Sequence, residues 1–304
     1  MQHMENPMKM VLICCVMILV SACKEAVKKP PHDAKARYES ALKTTNFGKN
    51  KKAGAYYNIR GFRMYCETYG KGEPVLMLHG NGGDISNFVM QIGYFSRKYQ
   101  VIVPDSRAQG KSIDKTDSLS YEMMADDCAE LLRQMKIRKA NVIGWSDGGI
   151  TALLLAKRHP QLTAKLAITG ANLWPDDTAI EPASWSGMQQ GFREIENKMK
   201  SGQPKTAADS LSYKLQKLMA YNPNLKPSDL RNVIAPTLVI GGDHDMIRPE
   251  HTLAIYRSLP NADLWIIPDC GHATLISHDI EFNGKVDAFF SSKFKKRKKD
   301  DNFF

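Results

Sequence analysis

The sequence predicts an α/β fold: a mainly parallel sheet with helices on both faces and an inserted helical cap. Three observations predict it. Short apolar runs alternate with amphipathic helical runs from residue 54 to 292. The alternation lapses once, over about residues 174–232. Glycine, serine, aspartate and histidine gather where the apolar runs end. Strand–helix alternation implies parallel pairing, and a parallel sheet is covered on both faces. Functional groups then sit at the carboxyl ends of the strands. A chain of 304 residues with 43% hydrophobic content can bury a core of this size.

The elements follow in order. Val11–Val20 reads VLICCVMILV, ten apolar residues after Lys9. A bilayer span needs about 20 residues, so this run fits the core of a signal peptide instead. Val20-Ser21-Ala22-Cys23 resembles the lipobox of bacterial lipoproteins, in which the cysteine is lipidated. Residues 1–23 are therefore expected to be a signal peptide with lipidation at Cys23. The implied location is a bacterial membrane, facing the periplasm or the cell exterior. Residues 24–53 are rich in Lys, Ala and Pro and show no sustained apolar period, which predicts a basic flexible tether.

From residue 54 the domain begins. Tyr56–Ile59 and Arg63–Thr68 read as a hairpin around Arg60-Gly61. Pro74–Leu78, Gln100–Val103, Ala140–Ile143, Leu166–Thr169, Thr237–Ile240 and Asp263–Ile267 read as strands. Asp84–Tyr99, Tyr121–Lys136, Ile150–Arg158, Pro249–Ser258 and Ile280–Phe290 read as helices. The lapse at 174–232 holds Trp174, Trp185, Met188, Phe192, Leu215, Leu218, Met219 and Tyr221 at helical spacing. A cap has little core of its own, so some of these should face a cleft. Residues 293–304 form a basic tail.

The formal net charge of +10 sits at the ends. Residues 24–60 carry ten Lys/Arg against three Asp/Glu, and residues 293–304 six against two. The stretch between them is nearly neutral. That excludes a basic nucleic-acid face on the domain, and no nucleic acid is expected as partner. Anionic lipid headgroups suit the basic ends; plain solvated tails are the alternative. Cys14 and Cys15 leave with the signal. Cys66, Cys128 and Cys270 are an odd number and cannot all pair.

Gly144-Trp-Ser-Asp-Gly148 lies between a strand and a helix. G-x-S-x-G alone is a weak signal, but this context is strong. A serine on such a turn stands above the sheet, and the helix behind it aims N–H groups at developing negative charge. Ser146 is the expected nucleophile. It needs a base. His272 follows strand 263–267 and is the best candidate, with His278 second. The base needs an orienting carboxylate. Asp243 and Asp245 both follow strand 237–240; Asp245 is favoured because it lies further along the loop, and Asp243 could cap the turn. The oxyanion needs preorganised donors. The backbone N–H of Asp147 is one candidate and that of Asn81, in His79-Gly-Asn-Gly-Gly83, the other. His79 reads as a residue that shapes this loop. Trp145 and Asp147, flanking the serine, are candidate substrate contacts. No His/Cys/Asp cluster has metal-ligand spacing, and neither metal nor cofactor is expected.

On these motifs the chain resembles the α/β-hydrolase superfamily over about residues 55–292. Further matching features are Asp105-Ser-Arg107 and Gly110-Lys-Ser112. Ala108 departs from the pattern, in which glycine usually follows the arginine. The elbow Gly144–Leu153 looks like that of the biphenyl hydrolase-like (valacyclovir hydrolase) group and of related bacterial carboxylesterases. The resemblance implies a serine hydrolase acting on a carboxylic ester of a modest, partly apolar small molecule. In that group the aspartate after the serine is thought to receive the amine of an α-amino acid ester, and Asp147 matches it. A C–C bond hydrolase or an aminopeptidase could use the same triad. A catalytically silent binding protein is the alternative from another class.

Overall fold

The structure is a computed structural model and describes residues 34–295, except 117 and 203. The expected signal peptide, Cys23 and most of the basic tail lie outside the described residues. Eight strands form one sheet in the order β1-β2-β4-β3-β5-β6-β7-β8. They are β1 (Gly54–Ile59), β2 (Phe62–Tyr69), β3 (Pro74–Leu78), β4 (Gln100–Pro104), β5 (Ala140–Trp145), β6 (Thr163–Thr169), β7 (Thr237–Gly242) and β8 (Ala262–Ile267). β2 runs antiparallel to both β1 and β4, and every other pairing is parallel. The expected mainly parallel sheet is thus observed.

Alternate residues of each strand feed two cores. Leu76, Leu78 and Val142 pack with helices α3 (Tyr121–Gln134), α4 (Asp147–Arg158) and α7 (Pro249–Ser258). Val75, Met77 and Ile143 pack on the other face with α2 (Val89–Phe95), α8 (Thr274–Ser277) and α9 (Asp279–Ser291). Side chains of a strand point to opposite faces at a period of two, so a run such as Val75–Leu78 is apolar throughout because both faces are covered.

The cap is built from α5 (Pro182–Lys200) and α6 (Ala207–Tyr221). Phe192 joins them, stacked on Tyr213 at 6.0 Å and edge-on to Tyr221 at 5.4 Å. Leu218 and Leu225 belong to the main core, so the cap is anchored to the domain it covers. Among the described residues no helix is long and apolar enough to cross a membrane.

The expected tether at 24–53 is corrected for its second half. Ala34–Thr44 form helix α1, and the segment after it is bound to the domain. Glu67, fully buried, accepts from the backbone N–H groups of Gly48 (2.7 Å) and Asn50 (2.9 Å) and from the hydroxyls of Tyr65 and Tyr69. A buried carboxylate needs such donors, and here two of them come from the supposed linker. Arg37 of α1 pairs with Asp279 at the start of α9. These partners are 17 to 242 residues away in sequence, so local composition carried no trace of them. Ala108, where glycine was expected, adopts a left-handed φ of 65°.

Candidate active site

β5 stops at Trp145, and α4 starts at Asp147. Ser146 alone makes the turn, with φ 56° and ψ −121°. A non-glycine residue at positive φ is strained and persists only when its surroundings impose it. They do so here. A Cβ at Gly144 would collide with the Gly148 carbonyl, and one at Gly148 with the Leu78 carbonyl. Ser146 N–H donates to Thr169 O of β6 at 2.8 Å.

β7 and β8 lie two and three places from β5 in the sheet. Their exits bring Asp245 and His272 to the serine. Ser146 Oγ donates to His272 Nε2 at 3.0 Å, and His272 Nδ1–H donates to Asp245 Oδ1 at 2.7 Å. The Asp245 side chain has no exposed surface; Oδ1 also accepts from Ile247 N–H at 3.0 Å. Asp243 has a different task. It accepts from the N–H groups of Cys270 (3.0 Å) and Asp269 (3.1 Å), and these hydrogen bonds hold its carboxyl below the ordinary range. It therefore ties the acid-bearing loop to the histidine-bearing loop. His278 stands at the start of α9, its ring against Ser277 Oγ at 3.1 Å. Gly170 backs the histidine: a Cβ there would lie 2.6 Å from His272 Cε1.

The oxyanion side comes from β3. Among the described residues, the backbone N–H groups of Asn81 and Asp147 have no protein acceptor. The loop carrying Asn81 is held from behind. Buried His79 donates from Nδ1 to Gly80 O (2.8 Å) and accepts Ser106 N–H at Nε2 (2.9 Å). Burial lowers its pKa and keeps it neutral. Gly82 N–H donates to Gln109 Oε1 at 2.6 Å.

A cavity of about 370 Å³ opens over Ser146. Its apolar wall is Ile180, Met188, Met219, Met246 and Ile247. Asp147 lines the same cavity among polar residues and is only 6% exposed. Asn81 Nδ2 donates to its Oδ2 at 2.8 Å, and Tyr121 of α3 also hydrogen-bonds it. Burial outweighs these donors and pushes the Asp147 carboxyl up to about 6. Trp145 lines the cavity too, but its indole N–H is committed to the His272 carbonyl at 2.9 Å. It braces the histidine loop as well as walling the cleft.

Several site residues escaped sequence reasoning. Tyr121 reads as the first core residue of a helix, and nothing local tells of Asp147. Asn172 and Asn222 line the cavity from irregular segments. His251 is buried, pushed down to about 4 by burial, and accepts Leu173 N–H at 2.9 Å, steadying the segment beside Asn172. Among the described residues no group of His, Cys, Asp and Glu could hold a metal ion.

The sequence profile of the family described as alpha/beta hydrolase fold matches residues 73–210 and 179–279. Human serine hydrolase BPHL is 24% identical over 291 residues, covering 90% of this chain and 94% of that one. A 2-hydroxy-6-oxononadienedioate/2-hydroxy-6-oxononatrienedioate hydrolase of Comamonas testosteroni is 26% identical, covering 74% of this chain and 90% of its own. Among solved structures, the enol-lactonase of Burkholderia xenovorans superposes with a TM-score of 0.65 at 20% identity, over 78% of this chain and 100% of that one. With its sheet order, its helices and these likenesses together, the chain belongs to the α/β-hydrolase fold family and is a hydrolase.

Proposed function

We propose that the protein cleaves a carboxylic ester of a small, partly apolar substrate through an acyl-enzyme on Ser146. The observation that carries this reading is the unbroken hydrogen-bond chain Ser146–His272–Asp245 at the floor of the cavity. His272 Nε2 takes the hydroxyl proton as Ser146 Oγ attacks the ester carbonyl. Negative charge develops on the carbonyl oxygen, toward the N–H groups of Asn81 and Asp147. The tetrahedral intermediate collapses, the ester C–O bond breaks, and His272 returns the proton to the leaving alcohol. Water repeats the sequence on the acyl-serine, releasing the acid and regenerating the hydroxyl. Asp245 holds the histidine tautomer and stabilises its charged form.

The acyl group in this reading carries an α-ammonium. Asp147 supports it: above pH about 6 its carboxylate is ionised, buried and on the cavity wall. The resemblance of the Gly144–Leu153 elbow to the biphenyl hydrolase-like group, in which the aspartate after the serine is thought to receive an amine, supports it further. The C–C reading draws on the Comamonas relative, named for dienedioate and trienedioate substrates. Those are carboxylates, and among the described residues no Lys or Arg lines this cavity. The ester reading is therefore preferred.

The location belongs to the same proposal: lipid on Cys23, attachment to a bacterial membrane, and the domain in the periplasm or outside the cell. The apolar run 11–20 followed by Ser21-Ala22-Cys23 supports it. Mass spectrometry of the mature amino terminus tests it; a terminus retaining Met1 contradicts it. For the chemistry, Ser146→Ala should lower p-nitrophenyl butyrate turnover by about 10³-fold or more while circular dichroism stays unchanged. Undiminished turnover in that variant overturns the assignment.

A further inference from the structure

One face of the domain combines exposed apolar side chains with cations. β1 is antiparallel to β2 and β2 to β4, so the β1–β2 turn stands at the same end of the sheet as Ser146. The loop after β4 returns to this turn, where Ile113 bridges Arg63 backbone to backbone. A groove of about 670 Å³ lies between them. Ile113 is 70% exposed and Tyr56 48%. Single exposed apolar residues are ordinary; the charges around these two are not. Arg63, Lys111 and Lys115 line the groove. Among the described residues, its one lining acid, Asp114, has a side chain only 1% exposed and turned inward to Arg107 at 3.3 Å. Among the described residues the face therefore offers cations alone around an apolar tip.

We propose that this face docks on an anionic phospholipid bilayer. Ile113 and Tyr56 enter the headgroup layer, a position suited to an amphipathic tyrosine ring. Arg63, Lys111 and Lys115 reach the lipid phosphates, their stems lying along apolar surface. Arg63 and Lys111 already lie 4.4 Å from the rings of Tyr56 and Tyr65, so the cations and aromatic rings form one layer. Near an anionic leaflet each cation contributes about fivefold to binding, or about a hundredfold for the three together. Such binding is weak for a free protein and sufficient to orient a tethered one. Lys214 of α6 donates to the Thr116 carbonyl at the edge of this face. Docking thus sets the cap beside the bilayer. The proposal stands on the folded domain and does not require lipid on Cys23.

The test is amide hydrogen exchange of the full chain mixed with vesicles of phosphatidylcholine alone or of equal parts phosphatidylcholine and phosphatidylglycerol. Amides of 56–63 and 111–116 should exchange about tenfold more slowly on the anionic vesicles than on the neutral ones. Lys111→Glu combined with Lys115→Glu should abolish that difference while leaving p-nitrophenyl butyrate turnover intact. Equal exchange of the wild-type protein on the two vesicle types overturns the proposal. So does a difference that survives in the double variant, because the basic ends would then carry it.

Discussion

Two buried aspartates at the carboxyl edge of the sheet have the same acidity and opposite surroundings. Burial pushes both Asp105 and Asp147 up to about 6. Asp105 accepts two backbone N–H groups, from Ile85 (2.9 Å) and Lys111 (2.7 Å), and beside it His79 and Ser106 also satisfy each other. That region is closed: its donors are fixed parts of the chain. Asp147 is held by two side chains, Asn81 and Tyr121, on a cavity wall. Its neighbours include two backbone N–H groups without a protein acceptor. The lesson is that a raised carboxyl does not by itself mark a site. Backbone donors spend a carboxylate on folding a loop, whereas side-chain donors beside a cavity leave it able to meet a ligand.

The largest effects that could break this division concern the two acids of the loop after β7. Asp245→Asn should lower kcat on p-nitrophenyl butyrate by about 10²–10⁴-fold, since the amide cannot hold the same histidine tautomer. Asp243→Asn belongs to the closed class and should change turnover by no more than about threefold while lowering stability slightly. Reversed outcomes would assign the orienting role to Asp243. From the sequence alone both remained candidates, because both follow Gly242 within three residues. What separates them is the reach of the 269–272 loop, a property of β7 and β8 pairing.

A second effect has one pH dependence in both regions and a different size in each. In the folded state the Asp147 proton is held more tightly than at the ordinary carboxylate value of about 4. Its stabilising contribution is therefore complete below pH 4 and is lost as pH rises through about 6. At pH 8 the ionised group costs up to about 3 kcal/mol. Asp147→Asn removes that cost and should raise stability at pH 8 by about 1–3 kcal/mol, with no gain at pH 4. Asp105→Asn removes the same ionisation cost but turns an amide donor toward a backbone donor, so at both pH values it should be about 1–3 kcal/mol worse off than Asp147→Asn and should show a net loss at pH 4. Chemical denaturation at the two pH values reads both. A stability loss for Asp147→Asn would reduce that aspartate to a helix-dipole residue, worth about 0.3–1 kcal/mol.

Much of this was legible beforehand. Ser146, His272 and the Asn81 loop each follow a strand within a few residues, so strand order alone carries them to one edge of the sheet. The illegible parts depend on distant partners. Tyr121 meets Asp147 from another helix, and Glu67 holds Gly48 and Asn50 across a turn of the chain that composition describes as linker.

The same Asp147→Asn variant sharpens the comparison in catalysis. For aminoacyl p-nitrophenyl esters kcat/KM should fall about tenfold, equivalent to about 1.4 kcal/mol, while the butyrate ester is nearly unaffected. Equal loss on both would leave a general carboxylesterase. The smallest effect lies in the closed region. Ala108 sits at φ 65°, where glycine is unstrained. Ala108→Gly should therefore stabilise the fold by about 0.5–1 kcal/mol and leave turnover unchanged; a loss of stability would mean that the Ala108 methyl contributes more than its strain costs.

On the proposed reading, Ser146 is the hydroxyl that His272 activates. An active-site-directed fluorophosphonate reacts with a serine whose proton has a base to go to and whose developing oxyanion has donors waiting. Intact-mass spectrometry of the labelled protein, followed by peptide mapping, reads the outcome directly. The account predicts a single phosphonyl adduct on Ser146, absent from Ser146→Ala and strongly slowed in His272→Ala. An adduct on another residue, or labelling of Ser146→Ala at the wild-type rate, would contradict it.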